Sequence, residues 1–256
     1  MKKTFFYPEI WFLTAAAVFT RFWHLSSPAR VIFDETHFGL YATKYLSHEY
    51  YFDIHPPLGK LLVALFSWIG GVSSGFSFEL NAPYEDPSFV ALRFLPAFLG
   101  ALLVPLAYLF VKELGFSRRA AFVAGFLVLF DNALLVQSRF TMLDIPLLFF
   151  ILLSLYFFIL ARKTTMFSGK WYTFYTACGL ALGAAISTKW MGFGALGIVW
   201  FFQFLHGNFF AKPRAQKLFI TAFLVVLPIV LYLGVFSVHF ALLSDICQEN
   251  CGYVTE

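Results

Sequence analysis

The chain has 256 residues, of which 60% are hydrophobic, 21% aromatic and only 12% charged, and its formal net charge at pH 7 is +4. A soluble domain carries roughly 25% charged residues, so this composition excludes an ordinary soluble globular protein. Long apolar runs, each able to cross a hydrocarbon core about 30 Å thick as a helix, predict an all-α polytopic membrane protein. The small positive charge then belongs to loops that orient the helices, and it does not indicate nucleic-acid binding.

Taken in chain order, the apolar runs predict seven membrane spans, at about 8–24, 90–111, 119–137, 142–161, 173–188, 190–206 and 217–237. The first span contains Glu9 and Arg21 and has no small-residue cleavage site after it, which favours an uncleaved signal anchor over a signal peptide. We expect one membrane domain over 1–256.

The long connection 25–89 is predicted to be the first outer loop. Its aromatic content argues against disorder. Thr36–His48 is predicted to be a helix lying at the membrane interface. Leu58–Val72 is apolar but too short for an ordinary span, so it predicts a second interfacial helix or a re-entrant piece.

The basic residues orient the spans. With the N-terminus in the cytoplasm, eleven of the eighteen Lys and Arg residues fall in inner segments, as the positive-inside rule expects, and the C-terminal tail lies outside. Five outer cations lie at or near span ends: Arg21, Lys60, Arg93, Arg139 and Lys189. Together they suggest a site for an anionic group such as a lipid phosphate. Snorkelling of long cationic side chains is the alternative for each one alone.

Two adjacent carboxylates, Asp34 and Glu35, lie in the loop after the first span. Ionisable groups are costly near a bilayer, so such a pair is a candidate functional site. One carboxylate could accept the proton of an attacking hydroxyl, while the other positions it or tunes a metal. A divalent metal ion is thus one option, and no cofactor is otherwise predicted. The alternative is an N-cap and first-turn acid of the interfacial helix. Adjacent side chains do not share a face, so their roles should differ.

A second motif in the same loop is His55-Pro56-Pro57-Leu58-Gly59-Lys60. The prolines delay helix formation until Leu58, and Gly59 lets the backbone approach another segment closely. Lys60 would then aim an ammonium group at the membrane surface. His55 supports the site or forms an ordinary structural hydrogen bond.

Polar residues also interrupt the later spans. Arg139 and Asp144 flank the connection between spans three and four and could pair structurally or serve the site. Lys189 precedes Trp190 at an outer helix end, which is also typical of an interface anchor. Asp131 lies inside span three and needs a partner or a wet cavity.

The three cysteines divide by position. Cys178 lies within an apolar run and is expected to be a packing residue. Cys247 and Cys251 could form a disulfide if the tail lies in an oxidising compartment.

These motifs, in order, resemble the protein O-mannosyltransferases, polyprenyl-phosphate-mannose–protein mannosyltransferases of the GT-C superfamily. The resemblance runs over about residues 30–192 and rests on Asp34-Glu35, His55–Lys60, Ala91-Leu92-Arg93, Ser138-Arg139 with Leu143-Asp144, and Ser187–Trp190. The His-Pro-Pro-Leu-Gly-Lys string favours this family over the related aminoarabinose transferases.

The resemblance implies a GT-C-type helix bundle and inverting sugar transfer to Ser or Thr hydroxyls of proteins on the outer side of the membrane. Asp34 and Glu35 would be catalytic, with Asp34 the general base. Lys60, Arg93 and Arg139 would hold the donor phosphate, and His55, Asp144 and Lys189 would support them. The expected partners are the lipid donor, an acceptor protein, membrane lipid and a second subunit, identical or different.

Members of this family usually have more spans than seven, so we expect an N-terminal fragment or a minimal member. As a fragment, it should transfer poorly without a partner. Two alternatives remain: transfer from the same kind of donor to a lipid or glycan, and a non-enzymatic lipid-binding or transport protein. Transport is disfavoured because the charges gather at one membrane face.

Overall fold

The computed structural model describes residues 7–205 and 209–244, and this part of the chain is helical. Its α-helices, in chain order, are α1 (Pro8–Phe22), α2 (Glu35–Leu46), α3 (Leu58–Ile69), α4 (Val90–Glu113), α5 (Arg118–Phe130), α6 (Asn132–Gln137), α7 (Asp144–Lys163), α8 (Gly169–Thr188), α9 (Phe193–Trp200), α10 (Arg214–Thr221) and α11 (Leu227–Leu242). Cys247 and Cys251, with the predicted outer tail, lie outside the described residues.

The two predicted interfacial segments form α2 and α3, and each predicted span coincides with one or two helices. In the described residues, three continuous helical stretches are long and apolar enough to cross a membrane: Pro87–Glu113, Asp144–Lys163 and Arg214–Leu242. Leu58–Ile69 is apolar but shorter. Its 12 residues rise about 18 Å, so α3 cannot cross a bilayer alone.

The predicted third span, 119–137, is not one helix. Its chain leaves helical geometry at Asp131, where φ is −58° and ψ is 119°. The Asp131 side chain accepts a hydrogen bond from the backbone N–H of Leu134 at 2.8 Å and so caps α6. The partner that the sequence requires for Asp131 is thus a backbone N–H at the break between α5 and α6, where Asp131 acts as an N-cap.

Helix α4 is the centre of the bundle. It packs against α1 and α5 on one side, α3 on another and α7 on a third. Its buried side chains, such as Leu92, Leu95 and Val104, belong to two of the hydrophobic clusters. A third cluster joins α7, α8, α9 and α10 around Trp171 and Leu182. Helix α4 contacts α1, α3, α5, α6 and α7, and its N-terminal end binds the loop that carries charged groups of the site described below.

The small residues Gly179 and Gly183 of α8 pack against α11 and the turn that leads into it. A Cβ atom built on Gly179 would lie 2.0 Å from the carbonyl oxygen of Phe223, and one on Gly183 would lie 3.0 Å from Cβ of Leu231. Phe223 and Leu224 both lie in a π-helical turn, Ala222–Val226, just before α11. The indole N–H of Trp200 donates to the Leu224 carbonyl at 2.7 Å. Close packing of two helices at small residues thus occurs within this chain.

Gly179→Ala should therefore lower the melting temperature of the purified chain, because a methyl group has no room beside the Phe223 carbonyl. Gly234→Ala is the matched control, since its Cβ would meet open space in α11. Alanine favours a helix over glycine by roughly 0.5–1 kcal/mol, so the control should be neutral or stabilising. Equal melting temperatures for the two variants in detergent would contradict the packing described.

Candidate active site

The side chain of Arg93 gathers the polypeptide at one end of the bundle. It projects from the first turns of α4 and is fully buried. Its guanidinium donates to the backbone carbonyls of Leu25 (3.1 Å), Pro28 (3.0 Å) and Arg30 (3.0 Å) in the segment after α1. Its remaining N–H groups bind Glu35 in a bidentate pair, with Nε to Oε1 at 2.7 Å and Nη2 to Oε2 at 2.8 Å. All five N–H donors are therefore used.

Glu35 is the acceptor half of this arrangement and is also fully buried. Beyond Arg93, it accepts hydrogen bonds from the backbone N–H of Ile32 at 3.1 Å and of Thr141 at 3.2 Å. The Thr141 hydroxyl donates to it as well, at 3.3 Å. A buried carboxylate paired and hydrogen-bonded in this way is held in one orientation. Glu35 thus ties α2 to α4 and to the connection before α7.

Asp34 lies beside Glu35 in sequence but in a different environment. It precedes the first residue of α2, and its carboxylate forms no hydrogen bond or ion pair with the residues that the structure describes. It lines an open cleft of about 650 Å³ whose other walls include His37, Leu40, Phe78 and Glu79. Successive helical residues point about 100° apart, so one carboxylate enters the protein and the other faces the cleft. The expectation of different roles for the pair agrees with this geometry.

The His55–Lys60 motif forms the first turn of α3 and the segment before it. Lys60 is buried, forms an ion pair with Asp53 and donates to the His55 carbonyl at 2.8 Å. Its ammonium lies 5.5 Å from the ring centres of both Tyr41 and Tyr51. Two of its three N–H donors are occupied, which leaves one for a ligand.

Gly59 makes the close approach that the sequence predicts. A Cβ atom there would lie 2.8 Å from Leu143 and 3.1 Å from Thr188, so α3 begins against the ends of α7 and α8. Beside it, Lys189 and Asp144 form an ion pair at 2.9 Å. Asp144 thus pairs with Lys189, and the alternative pair with Arg139 does not form.

His55 lies between these charged groups. Burial lowers the pKa of its imidazole below the ordinary value, the positive charges of Lys189 and Lys60 act in the same direction, and Asp53 opposes them. Lys60, Lys189 and Asp53 therefore all lie close enough to His55 to change its pKa. The ring of Phe38, one turn along α2 from Asp34, lies 6.3 Å from the His55 ring. The motif and the acidic pair are brought together through α2.

Arg139 lies elsewhere and binds the end of α1. Its guanidinium donates to the carbonyls of Thr20 (3.1 Å), Trp23 (2.6 Å) and His24 (2.8 Å). Arg21 does the same for α5, donating to Leu129 at 2.9 Å. Cations at helix C-termini satisfy carbonyls that have no partner within the helix. The geometry gives Arg21, Arg93 and Arg139 internal partners, and does not favour a direct phosphate contact for Arg93.

Sequence reasoning missed Asp53, Tyr41, Tyr51 and Thr141. Asp53 could have been predicted, since it lies two residues before His55 and a buried Lys60 needs a nearby carboxylate as counter-ion. Tyr41 lies in α2 and Tyr51 follows that helix, and aromatic residues at such positions are equally typical of a packed interface. In the described residues, no three His, Cys, Asp or Glu side chains are placed to hold a metal ion.

Comparisons with known proteins decide the family. The family model described as dolichyl-phosphate-mannose-protein mannosyltransferase matches residues 11–244. The chain belongs to this family. The predicted resemblance to this family is confirmed.

Among curated relatives, the chain is 36% identical over 252 residues to dolichyl-phosphate-mannose–protein mannosyltransferase 4 of Candida albicans, covering 91% of this chain and 33% of the relative. It is 35% identical over 241 residues to protein O-mannosyltransferase 1 of Drosophila melanogaster, covering 90% of this chain and 27% of the relative. The chain thus spans about a third of the length of the curated relatives it matches.

Solved structures confirm the all-α GT-C fold. The Saccharomyces cerevisiae protein O-mannosyltransferase Pmt1-Pmt2 complex bound to the sugar donor matches with a TM-score of 0.86 and 31% identity, over 94% of this chain and 34% of that chain. The Archaeoglobus fulgidus oligosaccharyltransferase matches with a TM-score of 0.65 and 19% identity, over 91% of this chain and 30% of that one. The second match shows a shared fold only.

Glu35→Gln should strongly destabilise the chain, because it leaves the Arg93 charge buried without its counter-ion. Breaking a buried pair in this way costs about 3–5 kcal/mol. Glu9→Gln is the matched control: Glu9 also forms a short pair with an arginine, Arg118, but that arginine is half exposed. Water screens the exposed pair, so the control should change little. Thermal unfolding in detergent measures both, and a smaller shift for Glu35→Gln than for Glu9→Gln would contradict the buried pair.

Proposed function

We propose that this chain takes part in the transfer of mannose from a polyprenyl-phosphate donor to Ser or Thr hydroxyls of proteins, with Asp34 as the general base. One observation carries the proposal: of two adjacent carboxylates, Glu35 is consumed by internal partners, while Asp34 lines a cleft and has none among the described residues. A general base must reach the proton that it accepts, and of these two carboxylates Asp34 alone meets that condition. Family membership supports the donor and the reaction class.

The proposed step is an inverting displacement. The acceptor hydroxyl gives its proton to the Asp34 carboxylate as its oxygen forms a bond to the anomeric carbon. The bond from that carbon to the phosphate oxygen breaks, and the lipid phosphate leaves with the electron pair. The volume of the cleft, about 650 Å³, is large enough for a peptide side chain and a sugar to occupy it together.

Lys60 and Lys189 are the proposed partners of the departing phosphate. Lys60 lies at the start of α3 and Lys189 at the end of α8. The charges of both act on His55. Each is paired with one carboxylate, Asp53 or Asp144, which limits the repulsion between the two cations until the donor arrives. Arg93 and Arg139, which the sequence places with Lys60, instead position the loop through carbonyls and Glu35.

The location and assembly of the site are part of the proposal. The distribution of Lys and Arg supports an N-terminus in the cytoplasm and an outer active-site loop. The matching yeast structure is a complex of two protein O-mannosyltransferases, which supports a second subunit here. Transfer to a lipid or glycan, or a transport function, finds no comparable support.

Asp34→Asn keeps the shape of the side chain and removes the proton acceptor. We expect mannose transfer to a Ser/Thr peptide, measured in membranes with polyprenyl-phosphate-mannose, to fall by roughly 10²–10⁴. Donor binding should be largely unchanged. Glu79→Gln is the matched control, since Glu79 lines the same cleft without following the first span. Transfer at the wild-type rate by folded Asp34→Asn would remove Asp34 from this role.

Lys189→Gln and Lys60→Gln should weaken binding of the donor more than binding of an acceptor peptide. A charge-assisted contact contributes about 1.5–3 kcal/mol, which corresponds to roughly a tenfold to hundredfold loss. Lys189 is the safer test because it is partly exposed, whereas Lys60 is buried. Lys44→Gln, in the last turn of α2, removes the same charge at another position of the loop. Equal losses for donor and peptide would indicate misfolding rather than a phosphate contact.

A further inference from the structure

A second polar cavity lies at the other end of the bundle. Helix α7 begins at Asp144, beside the proposed active site, and ends at Lys163, which pairs with Glu113 at the end of α4. Its 20 residues rise about 30 Å, so the two ends are a membrane thickness apart. The cavity at the Lys163 end therefore cannot belong to the site around Asp34.

This cavity holds about 140 Å³, and its walls are largely polar and cationic. They include two cations and two amides: Arg162, Lys212, Gln203 and Gln216. Gln203 is 2% exposed and Gln216 is 9% exposed. The Tyr175 hydroxyl donates to Gln203 Oε1 at 3.1 Å. The Gln216 side chain also lines the cavity.

The charge of the cavity is also unbalanced. In the described part of the chain, neither Arg162 nor Lys212 forms an ion pair with a carboxylate, whereas their neighbour Lys163 is paired with Glu113. Two cations without carboxylate partners, beside the amides of Gln203 and Gln216, form a site suited to an anion. A phosphate group offers several acceptor oxygens to such donors.

An apolar groove of about 430 Å³ adjoins this cavity, and Arg162 lines both. The groove runs between α4, α7 and α9, with Phe110, Leu155, Ile159 and Ile198 in its walls. The Arg162 guanidinium lies 5.6 Å from the Phe158 ring centre and donates to the Phe202 carbonyl at 2.8 Å. It is held at the junction of the two spaces, with further N–H groups left for a ligand.

We infer that this end of the bundle binds one anionic phospholipid, with its phosphate in the Arg162–Lys212 cavity and an acyl chain in the adjoining groove. A cationic polar cavity continuous with an apolar groove matches the two parts of such a lipid, and a free anion would leave the groove empty. Basic pockets between membrane helices on the cytoplasmic side are suited to anionic headgroups. The inference is independent of the sugar transfer proposed above.

The test is titration of the purified 256-residue chain in detergent with dioleoylphosphatidylglycerol, followed by native mass spectrometry. Dioleoylphosphatidylcholine and inorganic phosphate are the comparison ligands. Arg162→Gln/Lys212→Gln should weaken binding of the first phosphatidylglycerol at least about tenfold. Arg119→Gln/Lys170→Gln removes the same charge from exposed positions outside the cavity and should leave that binding unchanged. Ile198→Trp fills the groove without changing charge and should also weaken binding.

One tightly bound phosphatidylglycerol, lost in the cavity variant and weakened in Ile198→Trp, would support the inference. Equal binding of phosphatidylcholine would overturn it, since the cations would then contribute nothing. Inorganic phosphate that competes equally well would show an anion site without a lipid. An equal loss in the Arg119→Gln/Lys170→Gln control would show diffuse attraction to a basic surface and would also overturn it. Melting temperatures in phosphatidylcholine verify that each variant is folded.

Discussion

The buried pair between Glu35 and Arg93 is the interaction on which the arrangement of the site depends. Removing two charges from water is costly, and the cost is recovered only where both groups are fully hydrogen-bonded. Here both conditions are met: every N–H of Arg93 has an acceptor, and Glu35 accepts from three residues. The pair holds the segment after α1, the start of α2 and the connection before α7 against α4. Three regions that are distant in sequence, around residues 25–35, Arg93 and Thr141, are thereby placed at one end of the bundle.

This pair also determines what its neighbour can do. Because Glu35 begins α2 facing inward, Asp34 must face the cleft. Glu35 is buried and enclosed by its partners, so it cannot contact a substrate. Asp34 has no partner among the described residues and can contact a molecule in the cleft. Two identical functional groups thus acquire different chemistry from one backbone turn and one buried cation.

The helices could be predicted from the sequence because long apolar runs leave few other structures in a membrane. The roles of the cations could not. Arg21, Arg93, Arg139, Lys60 and Lys189 all lie at span ends, and phosphate binding, snorkelling and helix capping require the same residue types there. Only three-dimensional contacts separate them: Arg21 and Arg139 bind helix-end carbonyls, and Lys189 binds Asp144.

Asp131 illustrates the same limit. A window of hydropathy spans it without interruption, whereas the structure uses its side chain to end one helix and cap the next. Different roles for Asp34 and Glu35 could be predicted from the sequence, since adjacent helical positions cannot share a face. That argument predicts two roles but not which residue takes which role, because the partner Arg93 is 58 residues away from Glu35.

The most direct test of this account is hydrogen–deuterium exchange over residues 25–36 of the chain, compared between Glu35→Gln and Asp34→Asn. Glu35→Gln should accelerate exchange across this segment, including the amide of Ile32, because that N–H donates to the Glu35 carboxylate and the ion pair of Glu35 with Arg93 is lost. Asp34→Asn should exchange like the wild type, although its chemistry is removed. Equal acceleration in both variants, or none in Glu35→Gln, would contradict the division between a carboxylate that holds the loop and one that acts on substrate.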